Sequence, residues 1–341
     1  MRNSIVLLLA ILVLCLDLTQ AASVGVTYND YGISFGNSRR HAGLRINAVD
    51  KYVERVDGVN LTLWVPKDNP VFIMNGLAVG LVAPAARRIN GIAVGGVAVA
   101  GDRVDGLAVG GIGVGVDKLN GVGIGGIGLG ADDISGIAAG LIGVGADKMD
   151  GIMVGGLGVG GDKLTGLAIG GLGVGADNIR GAAFGGLGVG GDDLRGLMVG
   201  GLGVGGDRIE GLAIGGLGVG GDRIDGLAVG GLGVGADEIK GVAIGGLGAG
   251  GNYIEWFTIG GLGVGGDYIN GVTIAGLGIK GDELRGLKIA GYCHARDELV
   301  GVSIAVVNFA ENLHGLQFGL INIAMNNRAP YKVLPLLNYH K

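Results

Sequence analysis

Proline is nearly missing from this chain, with 5 among 341 residues; cysteine occurs twice, and aromatic residues make up only 5%. Each shortage closes off a class of protein. Scarce proline, with glycine that does not fall at every third residue, excludes a collagen-like helix. A charged fraction of 16% against 48% hydrophobic residues is the wrong balance for a disordered chain. The net charge of −5 offers no basic surface, so no nucleic-acid partner is expected. The four histidines, His41, His294, His314 and His340, are scattered, and Cys293 and His294 are neighbours that would point to opposite faces of a strand. Nothing in that inventory assembles a nucleophile with its base, and the chain reads as a non-enzyme.

Residues 1–21 have the layout of a secretory signal peptide. Arg2 supplies the positive start, Ile5 to Leu16 the apolar run, and Thr19-Gln20-Ala21 the cleavage site. The expected product is exported and periplasmic, cell-surface or secreted, with no transmembrane segment after cleavage. It keeps one cysteine, Cys293, and therefore has no intramolecular disulfide to rely on.

What the chain has is glycine, 80 residues of it. From Gly76 to Val300 one 15-residue unit recurs fifteen times without an insertion, as in GLAIGGLGVGGDRID from Gly211 to Asp225. Position 1 is Gly in every copy but one, where Trp256 stands. Position 12 is Asp in thirteen copies, the exceptions being Arg87 and Asn252. Positions 2, 4, 7, 9 and 14 are almost always aliphatic. A fixed period of this kind marks a stack of identical units that cannot fold singly. The expected fold is all-β: a β-solenoid of fifteen 15-residue coils, residues 76–300, with N- and C-terminal capping segments. Residues 22–75 would form the N-terminal β cap, and residues 301–341 degenerate coils and the C-terminal cap.

Within a coil, positions 2 and 4 share one side of a strand, as do 7 and 9. A Gly-Gly corner at positions 5 and 6 would turn both pairs inward, and a wider turn around position 12 would return position 14 to the core. Ala at position 3 and Gly at 5, 8 and 10 would then face outward as flat, uncharged Gly/Ala faces, with charge confined to positions 12, 13 and 15.

Two constellations are candidate sites. The aspartates of ten consecutive coils, Asp102, Asp117, Asp132, Asp147, Asp162, Asp177, Asp192, Asp207, Asp222 and Asp237, would stack in a column. One carboxylate per coil falls short of the 6–8 oxygens calcium takes, so the column reads first as turn-fixing and only secondarily as a calcium ladder. Tyr253, Trp256, Phe257 and Tyr268 place four aromatics within sixteen residues of an array otherwise nearly devoid of them, a candidate partner- or sugar-binding patch.

The GLxVGGLGVGGD units, the segment Gly315-Leu-Gln-Phe-Gly-Leu-Ile-Asn322 and the closing Val333-Leu-Pro-Leu-Leu-Asn-Tyr-His340 resemble those of uncharacterised exported bacterial glycine-rich, surface-repeat-like proteins. The resemblance implies no activity. The expectation is a non-catalytic structural or surface-interaction protein, a rigid rod that self-associates or contacts the cell envelope. The alternative is a ligand-binding module, using calcium on the Asp column or glycan on the aromatic patch.

Overall fold

The computed structural model describes residues 23–67 and 69–341; the expected signal peptide lies outside them. Strand makes up 81% of the structure, no helix forms among the described residues, and the solenoid has about 17 coils. The chain divides into two units, one ending at Asp162 and one beginning at Lys163, and coils stack within each.

The count exceeds fifteen because the parallel register extends beyond the regular repeat. In the first unit Tyr31–Gly36, Arg40–Asn47, Arg55–Thr62 and Ile73–Gly80 pair in parallel, bringing Gly32, Gly43, Gly58 and Gly76 into one column. Each of these glycines has a positive φ, the conformation of position 1 throughout the array. Much of the expected N-terminal cap is thus coil. The edge itself is covered by Ser23–Tyr28, antiparallel to Tyr31–Gly36. In the second unit the run Gly278–Ala324 carries the coils onward, and Val333–His340 pairs antiparallel against its end. Antiparallel terminal strands occupy the hydrogen-bonding groups that an open parallel edge would leave free.

The coils stack in exact 15-residue register, Val204 on Val219 on Val234. A strand runs from position 8 of one coil to position 5 of the next, as in Gly203–Gly215 and Gly218–Gly230. The chain bends at positions 6 and 7. The ladder skips position 12, passing from the Gly206–Gly221 pair to Arg208–Arg223. Position 1 makes the third departure, with φ of 117° at Gly211 and 136° at Gly226. Three runs result, positions 2–5, 8–11 and 13–15.

The interior corrects the expected orientation. Val219 and Ile224, positions 9 and 14, are buried as expected, but so is Ala213 at position 3, with no exposed surface. Positions 2, 4 and 7 are not core: Leu212 is half-buried, and Ile214 and Leu217 are exposed. Alternation explains this. Counting by twos from position 14 passes through positions 1, 3 and 5, so a strand carried through the position-1 glycine keeps 3 and 5 inside and sends 2 and 4 out. Space demands the same answer, since a 15-residue coil encloses too little volume for five large side chains. In most coils small residues at 3 and 5 therefore oppose the large ones at 9 and 14, with Met153 and Met198 as larger occupants of position 3. Where Leu129 replaces the usual Val at position 9, position 3 shrinks to Gly123. A Cβ there would lie 2.3 Å from Leu129 Cδ1 and 2.5 Å from Leu119 Cδ2.

Glycine serves two different ends. At position 5 of the regular coils there is no room for a side chain: a Cβ on Gly215 would lie 1.9 Å from the Gly218 carbonyl oxygen, and alanine enters this position only in the last two coils, at Ala275 and Ala290. At position 10 it is not: a Cβ on Gly220 would meet nothing nearer than 3.7 Å, and on Gly115 or Gly130 nothing within 4 Å.

Candidate contact surface

The outward residues fall into columns of distinct chemistry. Position 7 gives Val97, Ile112, Ile127, Ile142 and Leu157 in the first unit. In the second it gives Leu172, Leu187, Leu202, Leu217, Leu232, Leu247 and Leu262, each between 48% and 51% exposed. Backbone bonds hold this column in line, with Leu217 N–H donating to the Leu202 carbonyl and Leu232 N–H to that of Leu217, both at 2.6 Å. Partly exposed aliphatics at positions 2 and 4, such as Ile137, Ile152, Ile169 and Ile214, extend the apolar surface on one side. Glycines at positions 8 and 10 extend it on the other, those at 10 with room above them for a side chain. The expected Gly/Ala faces are therefore corrected: glycine does face out at 8 and 10, but Ala at position 3 is inside and an aliphatic column takes its place.

Charge gathers on positions 13 and 15, where side chains pair within and between coils. Arg88 and Arg103 both reach Asp105, at 2.8 and 2.9 Å. Lys118 pairs with Asp133 at 2.9 Å, and Arg223 with Asp225 at 2.7 Å and Glu238 at 2.5 Å. An amide ladder accompanies them: Asn90 donates to Asn75 at 2.6 Å, and Asn120 to Asp105 at 2.7 Å. Partial burial works against the Asp105 charge, yet the donors Asn120, Arg103 and Arg88 outweigh it and hold the carboxyl below its ordinary pKa. Lys118, donating to Asp133, lowers that carboxyl too. These exposed pairs fix the polar columns in register but are each worth little in stability.

The ten aspartates of the position-12 column are all exposed. Among the described residues, one side-chain hydrogen bond reaches them, from Asn252 Nδ2 to Asp237 Oδ1 at 3.4 Å. The backbone bonds expected of turn-fixing carboxylates are not made by these side chains. Among the described residues no three of His, Cys, Asp or Glu converge to hold a metal ion.

The aromatic candidates are brought together in part. Tyr253 and Tyr268 are register partners, with ring centroids 5.2 Å apart and planes 35° from parallel. The Arg285 guanidinium lies 5.5 Å from the Tyr268 ring centre. Trp256 occupies the position-1 corner with φ of 94° and is 72% exposed. Phe257, at position 2, is half-buried in the next column.

Sequence reasoning missed two buried polar groups. In the first unit Arg45, fully buried, pairs with Asp50 at 2.5 Å and donates to Asn60 at 2.8 Å, while Asn60 donates to the second Asp50 oxygen at 2.8 Å. In the second, the position-3 column turns polar through Thr258, Thr273, Lys288, Ser303 and Gln317, all buried. Lys288 Nζ donates to the carbonyls of Gly271 at 3.0 Å and Arg285 at 2.6 Å, and its burial pulls the pKa down to about 8. Cys293 is buried and its thiol is pushed up to about 11 by desolvation, the opposite of an activated nucleophile. His294 stands between the rings of Tyr292 and Phe309, at 5.7 and 4.8 Å.

No described helix is long and apolar enough to cross a membrane. Comparison of the chain with protein-family models, with curated proteins and with solved structures gives no match.

Proposed function

We propose that this chain is an exported, non-catalytic structural protein that works by contact, its solenoid coils associating with further copies of themselves through the position-7 column and its flanks. The observation that carries the reading is the unbroken series Leu172 to Leu262, half-exposed in seven successive coils and flanked by the glycines of positions 8 and 10, those at 10 with open space above them. An apolar patch at the upper end of what a monomer typically exposes, ~300–600 Å², often marks a contact site. Seven coils at ~4.8 Å by five residues at ~3.3 Å present about 550 Å². Two copies would bury roughly 1,100 Å² in total, above the ~1,000 Å² that a specific interface needs. Glycine at positions 8 and 10 lets a second copy approach to the backbone, while ion-paired columns stay in water.

Export follows from the leader-like residues 1–21, which fit a periplasmic, cell-surface or secreted protein. The test is molar mass by light scattering across a range of concentrations, for the wild type and for Leu202→Gln/Leu217→Gln/Leu232→Gln. Concentration-dependent oligomers that the triple variant loses are expected. A wild type that stays monomeric throughout would end the proposal.

A further inference from the structure

The two coils around Asn252 and Asp267 depart from the array in three ways. First, Trp256 takes a corner where the other coils have glycine, at a φ of 94°. L-residues rarely adopt this conformation, and strain of this kind persists where it serves a purpose. No packing need explains the indole, which is 72% exposed. Second, Tyr253 and Tyr268 replace, in two adjacent coils, the charged or amide side chains of position 13, and their rings form a shelf 5.2 Å from centre to centre. Third, the backbone itself differs. From Ala98 to Gly245 each strand runs unbroken from position 8 to position 5, but here strands Gly248–Gly250 and Gly263–Gly265 stop, resuming at Tyr253 and Tyr268. Asn252 replaces Asp at the break in the first of these coils.

We infer that Trp256 together with the Tyr253–Tyr268 shelf is a binding site for a neutral pyranose oligosaccharide. A sugar ring has an apolar C–H face that stacks on aromatic rings and a rim of hydroxyls that both donate and accept. The site supplies both: aromatic faces, and around them Asn252, Glu255, Asn270 and Arg285 as polar partners on the same or neighbouring coils. Charge argues against the rival ligands. The nearby cations are engaged, Lys240 with Glu238 at 2.5 Å, Arg285 with Glu283 at 3.1 Å and Arg296 with Asp267 at 3.8 Å, while Glu255 has no ion pair among the described residues, which disfavours anionic lipid headgroups and phosphates. Trp256 lies three residues along the strand from Tyr253, roughly 10 Å. One sugar ring cannot touch both, so the ligand is an oligosaccharide.

The test uses the protein expressed from its full 341-residue sequence with Trp64→Phe, which leaves Trp256 as the only tryptophan. Cellohexaose, chitohexaose and maltohexaose are titrated separately while indole emission is followed. At least one should give a saturable change. The same sugar, followed by calorimetry, should bind about tenfold more weakly to Tyr253→Arg and show no measurable heat with Trp256→Gly. Both variants restore residues found at those positions in other coils, so folding is not at issue. The inference is overturned if none of the three sugars perturbs the emission, or if Trp256→Gly binds as the wild type does. It is equally overturned if only phosphatidylglycerol vesicles perturb it.

Discussion

The same substitution, glycine to alanine, should have opposite effects at two sites five residues apart. At Gly215 the added Cβ would lie 1.9 Å from the Gly218 carbonyl oxygen, so the position 6–7 bend must open by more than an ångström. That bend is held by Gly216 N–H to Gly200 O at 3.0 Å and Leu217 N–H to Leu202 O at 2.6 Å. Losing both bonds costs roughly 1 kcal/mol each, and disturbed packing beneath Val219 adds to it, giving about 3–4 kcal/mol for Gly215→Ala. At Gly220 the nearest atom is 3.7 Å away and φ is not positive. There alanine restricts only the unfolded chain, and Gly220→Ala should be neutral or stabilising by about 0.4–1 kcal/mol. Urea unfolding followed by far-ultraviolet circular dichroism reads both as midpoint shifts of opposite sign. Equal shifts, or a larger loss at Gly220, would refute the assignment of which glycines the coil requires.

Trp256→Gly should stabilise by roughly 1–2 kcal/mol, by relieving a left-handed conformation that disfavours L-residues, and thermal unfolding would show it as a raised midpoint. Asp50→Ala should destabilise by about 3–5 kcal/mol, since it leaves the buried Arg45 guanidinium without its counter-charge, and chemical unfolding would measure the loss. Lys288 has a pKa of about 8 when folded against an ordinary 10.5, so between those values the unfolded chain binds more protons and stability rises with pH, by about 3 kcal/mol over the window. Cys293 acts oppositely, its pKa rising from 9.0 to about 11, so that stability falls as pH passes from 9 to 11. The wild type should gain stability from pH 8 to 9 and then level off, whereas Lys288→Met should show only the fall above pH 9. A wild-type and variant pair with parallel pH profiles would contradict the buried position of Lys288.

The 15-residue period made the solenoid legible, because identical spacing of Gly211, Gly226 and Gly241 leaves in-register parallel stacking as the economical way to pair the backbone. The direction of the side chains was not legible from the same pattern. Aliphatic composition at positions 2, 4 and 7 argued for burial, but a single exposed Leu is no anomaly; buried polar groups and large exposed apolar patches are the informative observations. A sharper signal lay in position 3, which is Ala in nine of its fifteen copies, the pattern of a crowded interior. The extra coils upstream escaped notice because Gly43, Gly58 and Gly76 are spaced 15 and 18 residues apart, so the period breaks while the stacking continues. Lys288 inside the core has no local sequence signal: its stability there rests on two carbonyls, those of Gly271 and Arg285, that only the stacked structure brings near.

Thiol-labelling rates at low and high protein concentration test the contact surface most directly. With Cys15 and Cys293 both changed to Ser, single cysteines would be placed at Leu217, Ala213 and Arg223 and reacted with a maleimide. The account predicts fast labelling of Leu217→Cys in dilute solution and strong protection at high concentration. Arg223→Cys should label at both concentrations, and Ala213→Cys at neither. Fast labelling at Ala213 or a Leu217 rate indifferent to concentration would contradict it.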